Sequence, residues 1–256
     1  MARARTLRSG VILAGGRSSR IGTPKALLDL GGEPLLTRVA RALLPSCDEL
    51  LLVAAPPAAQ GTELRLGLAR VQHAIARRWD ALGGRAGRLR PRVRMVRDAH
   101  AHLGPVAGLA SALAAARGDV AYVAACDVPF LSPALVAALF ARAESPAKPD
   151  VVLVRWRGYL EPLVAVYRTA TMREHYARQL AEHDLRPTKL LDRVRVEVVD
   201  EPAVRALDPE GLSFVNLNAR ADYEAARALL ERTARRPLNE RRRRPGRSPR
   251  GSSAGA

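Results

Sequence analysis

At 256 residues the chain has room for one large domain or two small ones, and a make-up 48% hydrophobic and 26% charged gives it apolar surface enough to bury a core. No run approaches ~18 consecutive apolar residues, which argues against a transmembrane helix. Only Cys47 and Cys126 are present, which excludes a disulfide framework and fits a reducing cytoplasm. The formal charge of +17 is unevenly spread: from Arg232 onward nine Arg face one Glu, leaving +9 over the first 231 residues. Three of the 42 basic residues are lysines and aromatics make up 4%, so the charge reads as a bias toward Arg. A nucleic-acid surface would bring aromatics or a reading motif. The basic start, Met1–Ser9, runs into an apolar stretch too short for a signal peptide and without a cleavage site.

In chain order, Ser9–Ala14 reads as a buried strand entering the Gly15-Gly16 turn. Leu35, Leu36, Val39, Ala42 and Leu43 recur at helical spacing up to Pro45. Glu49–Ala55 is a second strand stopped by Pro56-Pro57, Thr62–Leu82 is helical, and Val93–Val96 is a third strand ending near Asp98. A small-residue helix over Gly104–Ala116 precedes a strand at Asp119–Ala125 and a helix at Pro133–Ala143. Val151–Trp156 and Pro162–Tyr167 are strand-like, followed by a helix at Thr169–Glu182 and a strand at Val194–Val199. Leu212–Leu217 reads as a last short strand before a helix over Ala219–Glu231. Alternating strands and helices through residue 143 predict an α/β fold, a Rossmann-like three-layer sandwich with a mostly parallel sheet. Residues 237–256, with Arg241–Arg244 and little apolar content, are expected to form a disordered Arg-rich tail.

In such a sheet ligands sit beyond the carboxyl ends of the strands. The loop after the first strand reads Leu13-Ala-Gly-Gly-Arg-Ser-Ser-Arg-Ile-Gly-Thr-Pro-Lys25. Glycines let backbone N–H groups approach a phosphate, and Arg20 and Lys25 would neutralise its charge. The spacing matches neither G-x-G-x-x-G nor the P-loop; a surface turn with incidental basic residues is the competing reading. Asp127 ends an apolar strand, where one carboxylate could hold Mg²⁺ together with phosphate oxygens and water. Asp98 stands at a strand end near a helix start, where backbone N–H groups could satisfy its carboxylate. Asn216 and Asn218 alternate, so within a strand both amides would face one side; Asn218 could instead be an N-cap. Cys126 reads as a small buried residue, since no base motif accompanies it. His100 and His102 lack a third ligand and read as solvent-exposed.

The run from Leu13 through Lys25 to Leu28 resembles the signature of nucleotidyltransferases that activate sugars, alditols and pterins. Asp98 with Gly104-Pro-Val-Ala-Gly-Leu, and Cys126-Asp-Val-Pro-Phe, resemble segments of the molybdenum cofactor guanylyltransferases. Tyr159-Leu-Glu-Pro-Leu-Val-Ala-Val-Tyr and Phe214-Val-Asn-Leu-Asn-Ala-Arg-Ala-Asp extend the similarity, which spans roughly Gly10 to Ala226. The resemblance implies a nucleotide-diphospho-sugar transferase type of fold and a nucleotidyltransferase domain over 1–236, from which the chain departs at 56–92, a stretch longer than usual and expected to be a helical insertion. It also implies transfer of GMP from GTP to the terminal phosphate of a molybdopterin-type acceptor, with release of pyrophosphate. By the same resemblance Lys25, Arg20 and Asp127 are catalytic and Asp127 carries Mg²⁺. Leu13, Ala14, Gly15, Gly16, Lys25, Asp98, Gly104 and Asp127 bind nucleotide, and Asn216 and Asn218 bind the acceptor. Molybdoenzyme-maturation proteins are a further candidate class of partner, and a membrane is not. Two departures, Thr23-Pro24 before the lysine and Ala54-Ala55 where an Asn is common, keep a cytidylyltransferase of the same fold as the alternative. From other classes stand a nucleic-acid-binding protein working through the Arg-rich tail and a non-catalytic nucleotide-binding regulator.

Overall fold

The computed structural model describes residues 5–14, 24–56, 61–77, 79–81, 89, 92–100 and 103–235. Gly15, Gly16, Arg20, His102 and the tail at 237–256 lie outside the described residues. Seven strands form one sheet in the order β3-β2-β1-β4-β6-β5-β7. They are β1 (Arg8–Leu13), β2 (Glu49–Ala54), β3 (Val93–Arg97), β4 (Val120–Ala125), β5 (Val151–Trp156), β6 (Tyr159–Arg168) and β7 (Val196–Val199). Only β6 runs antiparallel to its neighbours, so the sheet is mostly parallel, as the sequence predicts.

The central strands are apolar on both faces because helices cover both. Ile12, Leu50, Leu52, Tyr122, Ala124 and Val152 point to one core, and Val11, Leu51, Val53, Ala121, Val123 and Val151 to the other. This is the period-2 alternation of a strand with two buried sides. The first core is closed by α1 (Leu35–Leu43), α2 (Thr62–Arg77) and α4 (Pro133–Ala143), the second by α3 (Pro105–Ala115) and α5 (Thr169–Ala181). The start of α4 is set by Ser132, whose hydroxyl accepts from Leu135 N at 3.3 Å, with Pro133 as the first helical residue. Within the 56–92 segment, α2 takes the crossover between the parallel strands β2 and β3 and buries Leu68, Val71 and Ile75. Gly67 on this helix is a packing requirement: a Cβ there would meet Leu27 Cδ1 at 2.3 Å. Leu27 thereby locks onto α2 the short 3-10 turn Lys25–Leu27.

Two elements differ from the sequence reading. β5 and β6 form a hairpin through Arg157-Gly158, both at positive φ (49° and 86°), which matches the twist of the flanking strands. Pairing with β5 slips between Leu153, opposite Ala165, and Val154, opposite Glu161. The resulting bulge carries Pro162, which a regular ladder would exclude. Second, Leu212–Leu217 is not a strand. Asp208 Oδ1 and Oδ2 accept from Leu212 N and Ser213 N at 3.1 and 2.8 Å, removing two donors from any ladder. Leu212–Phe214 instead forms a 3-10 turn. Phe214 stacks on Trp156 at 4.5 Å, while Leu217 enters a separate small core with Leu30, Leu35 and Ala226. The apolar residues thus serve different partners and not one sheet face. Two further helices complete the described chain, α6 (Glu201–Arg205) and α7 (Arg220–Arg235).

Gly211 makes this packing possible. Its φ is +66° and a Cβ would lie 2.2 Å from Trp156 Cζ2. Gly211→Ala is expected to destabilise the fold by ~2–4 kcal/mol, combining backbone strain with overpacking. A urea denaturation midpoint matching wild type would contradict this.

Candidate active site

The order β3-β2-β1-β4 means that the chain leaves β1 in one direction and returns on its other side at β4. The carboxyl ends of β1 and β4 therefore flank a topological switch point, the usual ligand crevice of open α/β sheets. Leu13 pairs with Ala125, and Cys126 N donates to Leu13 O at 3.1 Å. The register sets the start of the glycine loop beside Asp127. Leu13 is half-buried against Gly108 of α3, and Ala14 is buried with its N–H on Val53 O.

Lys25 returns to the same place. Its Nζ lies 3.2 Å from Asp127 Oδ2 and donates to Asn218 Oδ1 at 2.7 Å. The side chains of Lys25 and Asp127 are 17% and 19% exposed, so the pair is shielded yet reachable by a ligand. Asn218 arrives because Leu217 N donates to Asp127 O at 3.0 Å, tying the 216–218 segment to the end of β4. Asp222, on the first turn of α7, fixes that segment: its Oδ2 accepts from Asn218 N and Ala219 N, both at 2.8 Å. These bonds, with a smaller contribution from the Lys25 charge, hold its carboxyl below the usual range. An Asp two residues into a helix reaching back to the N-cap N–H is a capping signal, and it could have been read from the sequence.

Three predicted site residues thus converge, Lys25, Asp127 and Asn218. Asn216 is exposed and lines the cavity beside them without sharing a strand face with Asn218. Asp98 follows β3, two strands from β1; it is 8% exposed, and its Oδ1 accepts from His100 N at 3.1 Å and Ser111 Oγ at 3.3 Å. Gly104 is the exposed N-cap of α3 at φ +75°. His100 is exposed. Cys126 is buried, and burial pushes its thiol up to about 12, which leaves it protonated and unreactive near neutral pH.

Among the described residues no group of three metal-ligating side chains exists. Asp127 instead offers a single carboxylate beside which a cation, the Lys25 ammonium, already sits. That donor set fits Mg²⁺, which takes one or two carboxylates and completes its shell with phosphate oxygens and water. Next to the pair opens a cavity of about 290 Å³. It is lined by Asp127 at the end of β4, Glu161 and Leu163 on β6, and Phe214, Asn216 and Asn218 before α7. Glu161 is a site residue that sequence reasoning missed. Its signal was a charge between the apolar Leu160 and Pro162-Leu163 of β6; burial raises its carboxyl above the usual range.

The family model for the MobA-like NTP transferase domain matches residues 10–201. A "Probable molybdenum cofactor guanylyltransferase" of Pelotomaculum thermopropionicum is 33% identical over 223 residues, covering 87% of this chain and 93% of that one. The "Molybdenum cofactor guanylyltransferase" of Desulfosudis oleivorans is 29% identical over 224 residues, 87% of this chain and 96% of that one. Among solved structures, molybdopterin-guanine dinucleotide biosynthesis protein A from Archaeoglobus fulgidus superposes with a TM-score of 0.67 at 23% identity. That match covers 88% of this chain and 99% of the other, and establishes likeness of fold.

Proposed function

The chain belongs to the family of MobA-like NTP transferase domains, a nucleotidyltransferase family, and from that membership we propose that it transfers GMP from GTP to the terminal phosphate of a molybdopterin-type acceptor. The observation that carries the proposal is the convergence of Lys25, Asp127 and Asn218 at the switch point, beside a cavity of about 290 Å³.

The acceptor phosphate is already an anionic nucleophile, so the reaction needs no activated Ser or Cys. One of its oxygens forms a bond to the α-phosphorus of GTP. The bond from that phosphorus to the bridging oxygen breaks, and pyrophosphate leaves with the electron pair. The protein's work is alignment and charge stabilisation. Lys25 pairs with phosphate oxygens as a compact point charge. Asn218 and Asp222 hold the lysine's side of the site, and the N–H groups of Gly15 and Gly16 are assigned to the triphosphate. Asp127 would hold Mg²⁺, which when bound neutralises the triphosphate charge. Asp98 is assigned to the guanine edge, which requires its carboxylate to accept from the base in addition to His100 N and Ser111. Molybdenum-enzyme maturation proteins remain a proposed class of partner.

Incubation of the full chain with GTP, Mg²⁺ and molybdopterin should yield an acceptor heavier by one GMP residue and one pyrophosphate per adduct. Pyrophosphate without an adduct, or no product at all, would refute the assignment.

A further inference from the structure

Glu161 occupies the cavity without a role in the chemistry above. The other buried carboxylates among the described residues are all engaged. Asp48 takes Arg5 and Arg8 N, Glu49 takes Ser9, Arg94 and Arg117, and Asp150 takes Arg195. The Glu161 carboxylate, in a chain carrying 42 Lys and Arg, has no hydrogen-bond or ion-pair partner among the described residues. Desolvation acts on it with no bond or charge opposing it. A half-buried carboxylate left unpaired costs stability, and the β6 bulge is what turns it into the cavity rim beside Pro162 and Leu163.

The surroundings define the missing partner. Leu163, Val164 and Phe214 supply apolar walls, and Phe214 is held rigid by stacking on Trp156 at 4.5 Å. Lys25 and Asn218 lie on the Asp127 side of the same site. A volume of about 290 Å³ is at the small end of ligand pockets, suited to one fused ring system. A cavity of that size with apolar walls and an unpaired carboxylate on its rim suits a ring whose edge presents two adjacent N–H donors. The edge of a 2-amino-4-oxopteridine, N3–H beside the 2-amino group, does so.

We propose that Glu161 is the residue that selects the acceptor's ring, accepting both hydrogen bonds from its amino-pyrimidinone edge, with the acceptor's phosphate end lying toward Lys25 and Asn218. This rests on the reading of the site as a GMP transferase to a molybdopterin-type acceptor. In this role Glu161 binds substrate and takes no part in bond making.

The test compares two probes on the full chain, wild type and Glu161→Gln, by ring-fluorescence titration. One is neopterin monophosphate; the other is the 2,4-dioxopteridine with the same phosphorylated side chain, which lacks the 2-amino donor. Wild type should bind the amino compound about tenfold or more tightly than the dioxo compound. Glu161→Gln should abolish that preference while binding GTP as wild type does, which also reports an intact fold. The KM for molybdopterin should rise about tenfold or more in the same variant, with the Mg²⁺ activation curve unmoved. Absence of a preference in wild type, its retention in Glu161→Gln, or a shifted Mg²⁺ requirement would overturn the assignment, even with GMP transfer intact. Failure of the transferase reading itself would instead show as no GMP adduct from the wild-type protein.

Discussion

Asp127→Asn is expected to lower turnover by on the order of 10²–10³ while leaving the fold in place. The change keeps the volume and an oxygen for Lys25 but removes the charge that balances the ammonium and would hold Mg²⁺. The stability cost is small, because the Lys25–Asp127 pair at 3.2 Å is partly exposed and such pairs contribute up to about 1 kcal/mol. Pyrophosphate release, measured beside a urea denaturation curve, separates the two effects. Turnover near wild type at low Mg²⁺ would remove Asp127 from the metal site. A collapse of the denaturation midpoint would recast it as structural.

Lys25→Ala is expected to act on the other half of the same pair with a different signature. Removing the ammonium deprives the triphosphate of a positive partner, so affinity for GTP should fall far more than affinity for guanosine. Turnover should fall by roughly 10²-fold. Asp127 and Asn218 would lose a shared contact, yet Leu217 N on Asp127 O and the two bonds to Asp222 still hold the loop. Calorimetric titration with both ligands decides the point. Equal losses for nucleoside and triphosphate would show that the lysine only supports the loop.

The parts of this site differ in how far the sequence reveals them. β1, β2, β4 and β5 are runs of apolar residues bounded by turns and prolines, and both their faces are buried, so local pattern and tertiary environment agree. The switch point follows from their order, and with it the place of Asp127. The β5–β6 hairpin was not legible because Arg157 takes a positive φ that Asn or Gly usually supplies. At Leu212–Leu217 an apolar run suggested a strand, whereas its side chains enter separate cores and Asp208 claims the backbone donors. The contact between Lys25 and Asn218 spans 193 residues and depends on Gly67 admitting Leu27 into the face of α2. No local pattern encodes that. Glu161 is visible in the sequence as a charge among apolar neighbours, but its unpaired state emerges only from the tertiary placement of the described residues around it.

Base choice is the central claim, since the phosphate and metal contacts would serve any nucleoside triphosphate and Asp98 is the assigned discriminator. The most direct measurement is a competition between GTP and CTP for the wild-type enzyme, with Mg²⁺ and molybdopterin as the common acceptor and both products resolved by mass. The guanine adduct should dominate, and Asp98→Ala should erode that preference by ~1–3 kcal/mol, the cost of an unpaired buried polar partner. A dominant cytosine adduct that Asp98→Ala leaves unchanged would contradict the account and make this chain a cytidylyltransferase.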